Sequence, residues 1–327
     1  MRLLFTFVCL WALFTSTTAI PIRDDEFEVD SNFIQDIEKP SSFSADPDEF
    51  FKMVNFSSTH PELVFGGQEA RPGQFPQQAF LLYKSTDGYY HGCGASLLST
   101  TLAVTAGHCT FGMISPAEIM VGSTNRIDQS EKAQRRNITG TYTHPGHDPK
   151  ARPVRDDIGI VRFSPPITLN KNVQLAKIVA DDSQLLQSHN AFLSGFGTYT
   201  YRGNNTVTSD NLLWAQLQLF NWTYCHQLRP TLDPRKNQIC AGSRGKGGGP
   251  GDSGGPLQVA SKGQLYQIGV ASFVSSDKQD QQYNQDKHPT VFTRLASYCQ
   301  LLAKVTRGAF RCEYDEPRVC WTPPDCG

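Results

Sequence analysis

The sequence predicts a globular domain with buried β-strands, and three observations lead to this prediction. The apolar runs Leu97–Val104 and Ile158–Val161 have the length and composition of buried strands. The composition is that of an ordinary globular protein, with 39% hydrophobic and 19% charged residues. The 327 residues are enough for one domain of the size that two β-barrel lobes require.

The first segment, Met1–Ala19, has the features of a secretory signal peptide. One arginine precedes an apolar run from Leu3 to Phe14, and small residues end the segment. The run is too short to span a membrane, and no later run of this kind follows. Loss of the segment removes Cys9 and leaves eight cysteines, an even number that is typical of secreted proteins. We therefore predict a secreted, extracellular protein that does not associate with membranes.

Four sequons agree with secretion, because Asn-x-Ser/Thr is the acceptor sequence for N-glycosylation. The predicted glycosylation sites are Asn55, Asn137, Asn204 and Asn221.

The second segment, residues 20–63, is acidic, whereas the remainder of the chain is basic. Residues 20–63 carry eleven Asp and Glu against three Lys and Arg, a net charge of −8. Residues 64–327 carry 26 Lys and Arg against 20 Asp and Glu, a net charge of +6. The contrast predicts electrostatic docking of the leader, and the alternative is a solvated leader that makes no contact. No helix-turn-helix, zinc-finger or basic-helix pattern indicates a nucleic-acid partner.

A histidine and an aspartate then lie at the ends of the two apolar runs. Thr105-Ala106-Gly107-His108-Cys109 follows the first run, and Asp156-Asp157 directly precedes the second. Taken singly, His108 could be a core histidine and Asp157 a helix N-cap. His144 and His147, in the Pro- and Gly-containing segment before Asp157, are predicted to lie on the surface.

Gly251-Asp252-Ser253-Gly254-Gly255-Pro256 places a serine between small, flexible residues. Such a loop can expose the hydroxyl and let a substrate carbonyl approach backbone N–H groups. A serine in this setting is often only part of a turn. His108, Asp157 and Ser253 nevertheless supply a base, its orienting carboxylate and a nucleophile, each in its own motif. Together they predict nucleophilic catalysis.

Residues 64–303 resemble the chymotrypsin family of serine peptidases. Val64-Phe65-Gly66-Gly67 is similar to the N-terminus created on activation in that family, and Ser194-Gly195-Phe196-Gly197 to its Ser-Gly-Trp-Gly segment. Gly269–Phe273 is similar to the strand that lines the substrate cleft. The resemblance implies an all-β fold of two six-stranded antiparallel β-barrels, with the active site between them and a C-terminal α-helix at about 294–305.

The resemblance also divides the chain into four segments. They are a signal peptide (1–19), an acidic activation propeptide (20–63), a serine peptidase domain (64–305) and a cysteine-containing C-terminal tail (306–327).

The family mechanism implies a role for each member of the triad. Ser253 attacks the scissile carbonyl, while His108 accepts its proton and Asp157 orients the imidazole. The N–H groups of Gly251 and Ser253 form the oxyanion hole. Asp156 is the alternative third member, but Asp157 is preferred because it directly precedes the apolar run. Ser272 is expected to hydrogen-bond to Asp157.

Activation in this family frees an amine that pairs with the aspartate before the nucleophile, here Val64 and Asp252. The residue before the cut is Leu63, whereas Arg or Lys is usual. We predict cleavage after Leu63 by a protease with a hydrophobic pocket. The alternatives are activation at another bond or a mature chain that begins at Leu63. His91 either holds Asp252 in the precursor or is an ordinary strand histidine.

The predicted pocket consists of Gly247, Ser272, Phe273, Val274 and Thr290. Gly247 stands where trypsins have an aspartate, so cleavage after Lys or Arg is not expected. Val274 and Thr290 stand where glycine is usual, and bulk at both positions resembles the elastases. We therefore predict cleavage after small aliphatic residues. A long polar insertion, Ser275–His288, could remodel the rim.

The cysteines fit the family pattern in part. The resemblance implies the bridges Cys93–Cys109 and Cys225–Cys240, whereas Cys299, Cys312, Cys320 and Cys326 allow three connectivities. The positions that match the calcium-binding glutamates of trypsins are Ser123 and Ala133. We therefore expect no metal and no cofactor.

The leading hypothesis is a secreted serine endopeptidase made as a zymogen. A catalytically silent homologue that acts as a binding or regulatory protein is the alternative, although such homologues usually lose the serine or histidine. A third hypothesis is an enzyme whose tail or 274–290 loop docks a partner. The expected partners are polypeptide substrates, an activating protease and protein protease inhibitors, and the expected state is a monomer.

Overall fold

A computed structural model describes residues 34–37 and 64–314 of the chain. The signal segment, most of the acidic segment and the end of the tail lie outside these residues, so the four segment boundaries stay predictions. Within the described residues, no helix is long and apolar enough to cross a membrane.

The first lobe is a closed antiparallel barrel of six strands. Each pairs with the next in the order β3-β4-β5-β8-β7-β6, and β6 returns to β3. The six strands are β3 (Gln78–Ser85), β4 (Tyr90–Leu97), β5 (Leu102–Thr105), β6 (Met113–Val121), β7 (Gln134–Thr143) and β8 (Gly159–Ser164). The two predicted apolar runs supply β5 and β8, whose side chains are almost all buried. Helix α1 (Gly107–Thr110) directly follows β5.

A two-residue strand from the acidic segment, β1 (Gln35–Asp36), joins this barrel at β7. Gln35 pairs with Thr141 and Asp36 with Gly140, and the Ile37 N–H donates to the Thr139 carbonyl at 3.2 Å. The neighbouring isoleucines at 34 and 37 pack against the core of the barrel. The acidic segment is therefore in contact with the basic domain at this strand.

The second lobe is a closed barrel of the same design. Its strands pair in the order β13-β16-β15-β14-β9-β12, and β12 returns to β13. They are β9 (Asn190–Gly195), β12 (Leu213–Phe220), β13 (Gln238–Gly242), β14 (Pro256–Ser261), β15 (Gln264–Phe273) and β16 (Thr290–Arg294). A short strand β2 (Gln68–Glu69) adds to β12. Polar residues alternate with buried apolar ones along β12, as expected for a sheet with one solvated face.

The remaining elements lie between or after the barrel strands. They are the hairpin β10 (Thr198–Arg202) and β11 (Asn205–Thr208), helices α2 (Trp222–Leu228), α3 (Lys278–Tyr283) and α4 (Cys299–Val305), and 3₁₀ turns at Leu185–Gln187 and Leu295–Tyr298. The expected C-terminal helix is present, with its first turn in 3₁₀ geometry. The sequence prediction of two six-stranded antiparallel barrels is confirmed.

Each barrel has its own apolar core. The core of the first barrel includes Leu81, Leu97 and Ile160, none more than 1% exposed, and it extends to Leu295 and Leu302 of the C-terminal helical run. The second core is built mainly from β9, β12, β14 and β15. The last helix therefore follows the second barrel in sequence but packs against the first.

Candidate active site

His108 lies on α1, immediately after β5. The short helix follows directly from β5, and its cysteine is bonded to β4 through the Cys93–Cys109 disulfide. The His108 side chain is 33% exposed, which leaves the imidazole open on one side. The predicted bridge and the predicted position of the histidine at a strand end are therefore both present.

Asp157 holds His108 from the other side. Its Oδ2 lies 2.9 Å from His108 Nδ1, and its Oδ1 accepts from the His108 backbone N–H at 2.8 Å. Asp157 is only 2% exposed and directly precedes β8 in the chain. Because β5 and β8 are neighbours in the barrel, their pairing places the aspartate beside the histidine.

Two further contacts fix the Asp157 residue. The Ser272 hydroxyl donates to Asp157 Oδ2, and the Thr293 hydroxyl donates to the Asp157 carbonyl oxygen at 2.8 Å. Both donors belong to the second barrel, so the aspartate is held across the junction of the two lobes. The expected bond from Ser272 is present.

The electrostatics of the pair favour a charged aspartate. Burial opposes the charged form of Asp157, but the His108 charge and hydrogen bond, with His147 and Ser272, hold its pKa below the usual value. Burial also opposes a charged His108, but the Asp157 charge and hydrogen bond raise the histidine pKa above its usual value. The carboxylate therefore favours imidazolium formation.

Asp156, the alternative to Asp157, contacts other groups. Its Oδ2 accepts from Arg235 Nη2 at 2.9 Å, and its Oδ1 accepts from the Tyr298 hydroxyl at 2.8 Å. The residue adopts a positive φ of 48°. Asp156 therefore connects the C-terminal helical run to the segment that precedes β8. The carboxylate that contacts His108 is Asp157.

His147 is buried, which corrects the prediction that it lies on the surface. It is 8% exposed, and its Nδ1 lies 3.7 Å from Asp157 Oδ1. Its Nδ1 is also 3.2 Å from the Arg155 carbonyl oxygen. The Pro/Gly-containing segment folds inward, so that His147 covers Asp157. The residue types in this segment did not indicate that it is buried.

The Ser253 loop docks on the strands that carry His108. The Gly94 N–H donates to the Ser253 carbonyl at 2.7 Å. Gly254 has a φ of +78°, and a Cβ there would lie 2.1 Å from Thr105 Oγ1, so this position requires glycine. Thr105 is three residues before His108, so this contact brings the serine loop against the histidine segment.

Gly251 also needs its flexibility, with φ at +95°. Among the described backbone groups, neither the Gly251 N–H nor the Ser253 N–H donates to a carbonyl oxygen. Both N–H groups thus remain able to bind an oxygen atom of a ligand.

Asp252, by contrast, points into the protein. It is 1% exposed, and its two oxygens accept from the N–H groups of Gly197 and Gly249, each at 2.9 Å. A Cβ at Gly195 would lie 2.1 Å from Asp252 Oδ1, which explains the glycines of the Ser-Gly-Phe-Gly segment. Burial raises the pKa of Asp252 to about 7, and the N–H groups of Gly249 and Gly197 offset only part of this shift.

The first two residues of the segment Val64–Gly67 are buried beside the same loop. Val64 and Phe65 are 0% and 1% exposed, and the Gly247 N–H donates to the Phe65 carbonyl at 3.3 Å. No cationic side chain among the described residues pairs with Asp252. His91 pairs instead with Asp87, at 2.9 Å, which decides between its two predicted roles in favour of an ordinary strand histidine. Leu63 lies outside the described residues.

A cavity of about 50 Å³ adjoins Ser253. It is bounded by the serine loop, the end of β15 and the start of β16. Its lining includes the predicted pocket residues Ser272, Phe273, Val274 and Thr290. Gly247 is not part of the lining.

Gln285 explains why the cavity stops short of Gly247. It is fully buried, and a Cβ built on Gly247 would lie 1.8 Å from its Oε1. Sequence reasoning missed this residue because the polar insertion that carries it has no motif. Its only sequence signal was that the insertion begins and ends at predicted pocket positions.

The other predicted sites are placed as follows. Cys225 is bonded to Cys240 and Cys299 to Cys312, which leaves Cys320 and Cys326 outside the described residues. The sequon residues Asn137, Asn204 and Asn221 are exposed, and Asn55 is not described. Asn221 also caps α2 by accepting from the Tyr224 N–H at 2.9 Å.

Comparison with known proteins gives the same assignment from an independent direction. A family model described as Trypsin matches residues 64–302. Chymotrypsin-like elastase family member 1 of Rattus norvegicus is 31% identical over 253 residues, which cover 77% of this chain and 92% of the relative. Proproteinase E of Bos taurus is 30% identical over 239 residues, covering 72% and 91%. Chymotrypsin-like elastase family member 3B of Homo sapiens is 30% identical over 247 residues, covering 74% and 88%.

The match to the family model spans the two barrels and every described residue of the site. The chain therefore belongs to the trypsin family, the chymotrypsin-like serine peptidases, and it is a serine-type endopeptidase.

Proposed function

We propose that this endopeptidase is secreted as a zymogen and cleaves peptide bonds through His108, Asp157 and Ser253. The observation that carries the proposal is the His108–Asp157 pair at 2.9 Å, with the Ser253 loop docked against the same strands. Nucleophilic acyl transfer requires a serine that the substrate can reach, an imidazole that can accept its proton and a carboxylate that orients the imidazole. Here the serine lines a cavity, the imidazole is partly exposed and the carboxylate is buried.

In this mechanism Ser253 Oγ attacks the scissile carbonyl while His108 accepts the hydroxyl proton. The imidazolium that forms is stabilised by Asp157, and it then gives the proton to the leaving amine. Water, activated by His108, hydrolyses the resulting acyl-enzyme and restores the serine. Ser272 and the second barrel hold Asp157 in place during both steps.

The backbone N–H groups of Gly251 and Ser253 serve as the oxyanion hole. The positive φ of Gly251 supports this role, because glycine adopts this conformation readily and φ sets the orientation of the Gly251 N–H relative to the rest of the loop. Loss of one such donor typically costs about 3 kcal/mol of transition-state stabilisation.

Activation is proposed to occur by cleavage between Leu63 and Val64. The new Val64 ammonium would pair with Asp252, whose buried carboxylate has no cationic partner among the described residues of the uncleaved chain. Val64 is already buried, and the neighbouring Phe65 ring lies beside Gly249 of the loop that contains Asp252, which supports this pairing. A leucine before the cut calls for an activating protease with a hydrophobic pocket.

The acidic segment is proposed to be the activation propeptide, docked on the first barrel. Strand β1 supports docking over a fully solvated leader, since Asp36 forms an ion pair with Arg162 on β8. The pair is exposed, so strand pairing and the packing of Ile34 and Ile37 supply most of the attachment.

The substrate preference is proposed to be a small aliphatic residue before the scissile bond, the P1 residue. Thr290 and Val274 line the cavity and narrow it, and Gly247, which stands where trypsins have an aspartate, lies outside its lining. The elastase names of the relatives agree with this preference.

Secretion is supported by the signal-like N-terminus and three disulfides among the described residues. Exposed sequons at Asn137, Asn204 and Asn221 are proposed glycosylation sites. The enzyme is also proposed to be a monomer and to be controlled by protein inhibitors.

Labelling with a fluorophosphonate tests the catalytic role directly. The protein cleaved before Val64 should be labelled, whereas the Ser253→Ala variant should not be. N-terminal sequencing of the secreted active form should begin at Val64. An unlabelled wild-type protein would support the silent-homologue alternative, and a different N-terminus would refute the activation site.

A further inference from the structure

A side chain from the insertion between β15 and β16 lies behind the wall of the substrate cavity, where it contacts the lining residue Thr290. This insertion contains α3, whose N-cap Asp277 accepts from the Gln279 and Asp280 N–H groups. After the helix ends, the chain turns inward and buries Gln285 completely. An amide in this position is costly to bury unless its hydrogen bonds are satisfied.

The Gln285 amide is fully bonded. Its Nε2 donates to the carbonyl oxygens of Gly248 and Gln281, each at 2.8 Å. Its Oε1 accepts from the Thr290 hydroxyl at 2.6 Å, and Thr290 Oγ1 in turn accepts from the Gly248 N–H at 3.0 Å. Both amide protons are thus occupied, and the side chain is fixed in one orientation against the cavity wall.

The same amide occupies the space in front of Gly247. A Cβ built there would lie 1.8 Å from Gln285 Oε1 and 2.1 Å from its Cδ. Real Cβ atoms do not approach so closely, so no residue with a side chain fits at position 247 while Gln285 is in place. Thr290 lines the cavity, and Gln285 lies behind it.

We propose that Gln285 is a specificity-determining residue that closes the bottom of the substrate cavity and restricts P1 to small aliphatic side chains. This inference rests on the proposed function. Because both of its amide protons are already used within the protein, Gln285 has no free donor for a polar P1 group. Gln285 acts only by occupying space, and the inward turn of the chain after α3 sets how deep the cavity is.

The test compares P1 selectivity in the enzyme cleaved before Val64. Peptide nitroanilides with Ala, Val, Leu or Phe at P1 are assayed with the wild type, Gln285→Ala and Gln285→Gly. We expect the kcat/KM ratio of Leu over Ala to rise by roughly tenfold or more, the range for one or two methylenes in an apolar pocket. Gln282→Ala is the matched control, since Gln282 lies in α3 but contacts Thr200. An unchanged ratio in both Gln285 variants would overturn the proposal.

A second measurement does not depend on activity. Gly247→Ala should lower the Tm of the full chain in the wild-type background, because its methyl group collides with the Gln285 amide. The same substitution should be tolerated in the Gln285→Gly background. Equal losses of Tm in both backgrounds would refute the placement of Gln285. If the wild type cleaves no substrate, the proposed function fails. The losses of Tm that Gly247→Ala causes in the two backgrounds still decide whether Gln285 fills the space in front of Gly247.

Discussion

The buried Asp252 carboxyl should make the uncleaved precursor less stable as the pH rises. Burial raises its pKa from 3.8 to about 7, since no cationic side chain in the described part of the chain compensates for the lost hydration. In the unfolded chain the same group has its ordinary pKa and ionises near pH 4. The stabilisation by the protonated carboxyl is therefore complete below about pH 4 and is lost as the pH rises through 7.

The size of the effect follows from the two pKa values. Between pH 5 and pH 8, proton linkage removes about 3 kcal/mol from the free energy of unfolding. The side-chain amide of an Asp252→Asn variant cannot titrate, so this part of the pH dependence should vanish. The variant loses some stability at every pH, because its amide nitrogen faces one of the two backbone donors.

The free energies of unfolding of the Asp252 protein and the Asp252→Asn variant are measured by urea titration at pH 5, 6, 7 and 8, with tryptophan fluorescence as the signal. Both proteins carry Ser253→Ala, which prevents self-cleavage during the measurement. The stability of the Asp252 protein relative to the variant should fall by about 3 kcal/mol across this range. Parallel pH profiles for the two proteins would refute the reasoning.

Cleavage before Val64 should abolish this behaviour. An ammonium paired with Asp252 lowers the carboxyl pKa, so Asp252 stays charged in the folded cleaved protein and the loss of stability between pH 5 and pH 7 should disappear. The stability of the cleaved protein should fall only when the pH is high enough to deprotonate the ammonium. A cleaved protein with the profile of the precursor would show that Val64 does not reach Asp252.

Three further outcomes are expected. The kcat/KM of the active enzyme should fall toward low pH with a midpoint above 6.5, because Asp157 outweighs burial in raising the His108 pKa and only the neutral imidazole accepts a proton; a midpoint below 6.5 would contradict this. Gly140→Ala should abolish hydrogen-exchange protection of the Ile37 amide, since the new methyl group would lie 2.8 Å from the backbone of β1, and retained protection would argue against docking. Cys312→Ser should lower the free energy of unfolding by about 3 kcal/mol in denaturant titrations, and no change would show that its bridge constrains little.

The proposed catalytic residues could be predicted from sequence because each lies in a local motif near the end of a strand. His108 follows an apolar run and Asp157 precedes another, and pairing of those strands brings the two side chains together. Ser253 lies among glycines whose conformations a larger residue could not adopt. The order His108, Asp157, Ser253 along the chain then favoured a catalytic triad over three residues with unrelated roles.

Gln285 and His147 could not be predicted in this way, because their positions depend on how irregular segments fold. Glutamine and histidine in polar surroundings usually face solvent. Here the end of α3 turns one inward, and the segment before Asp157 buries the other. The choice between the roles of His91 likewise required the position of Asp87, four residues earlier on the β3–β4 turn.

The packing of the C-terminal helix against the first barrel has a consequence for biosynthesis. Leu295, Leu302 and Val305 are buried in the core to which Leu97 and Ile160 belong. The ribosome makes the strands of that barrel long before it makes this helix, and the helix needs to leave the exit tunnel before it can pack. Part of the apolar surface of the N-terminal lobe therefore stays uncovered until the helix has emerged. Stalled or truncated chains should accordingly be ligands for chaperones even when they contain every strand of both barrels.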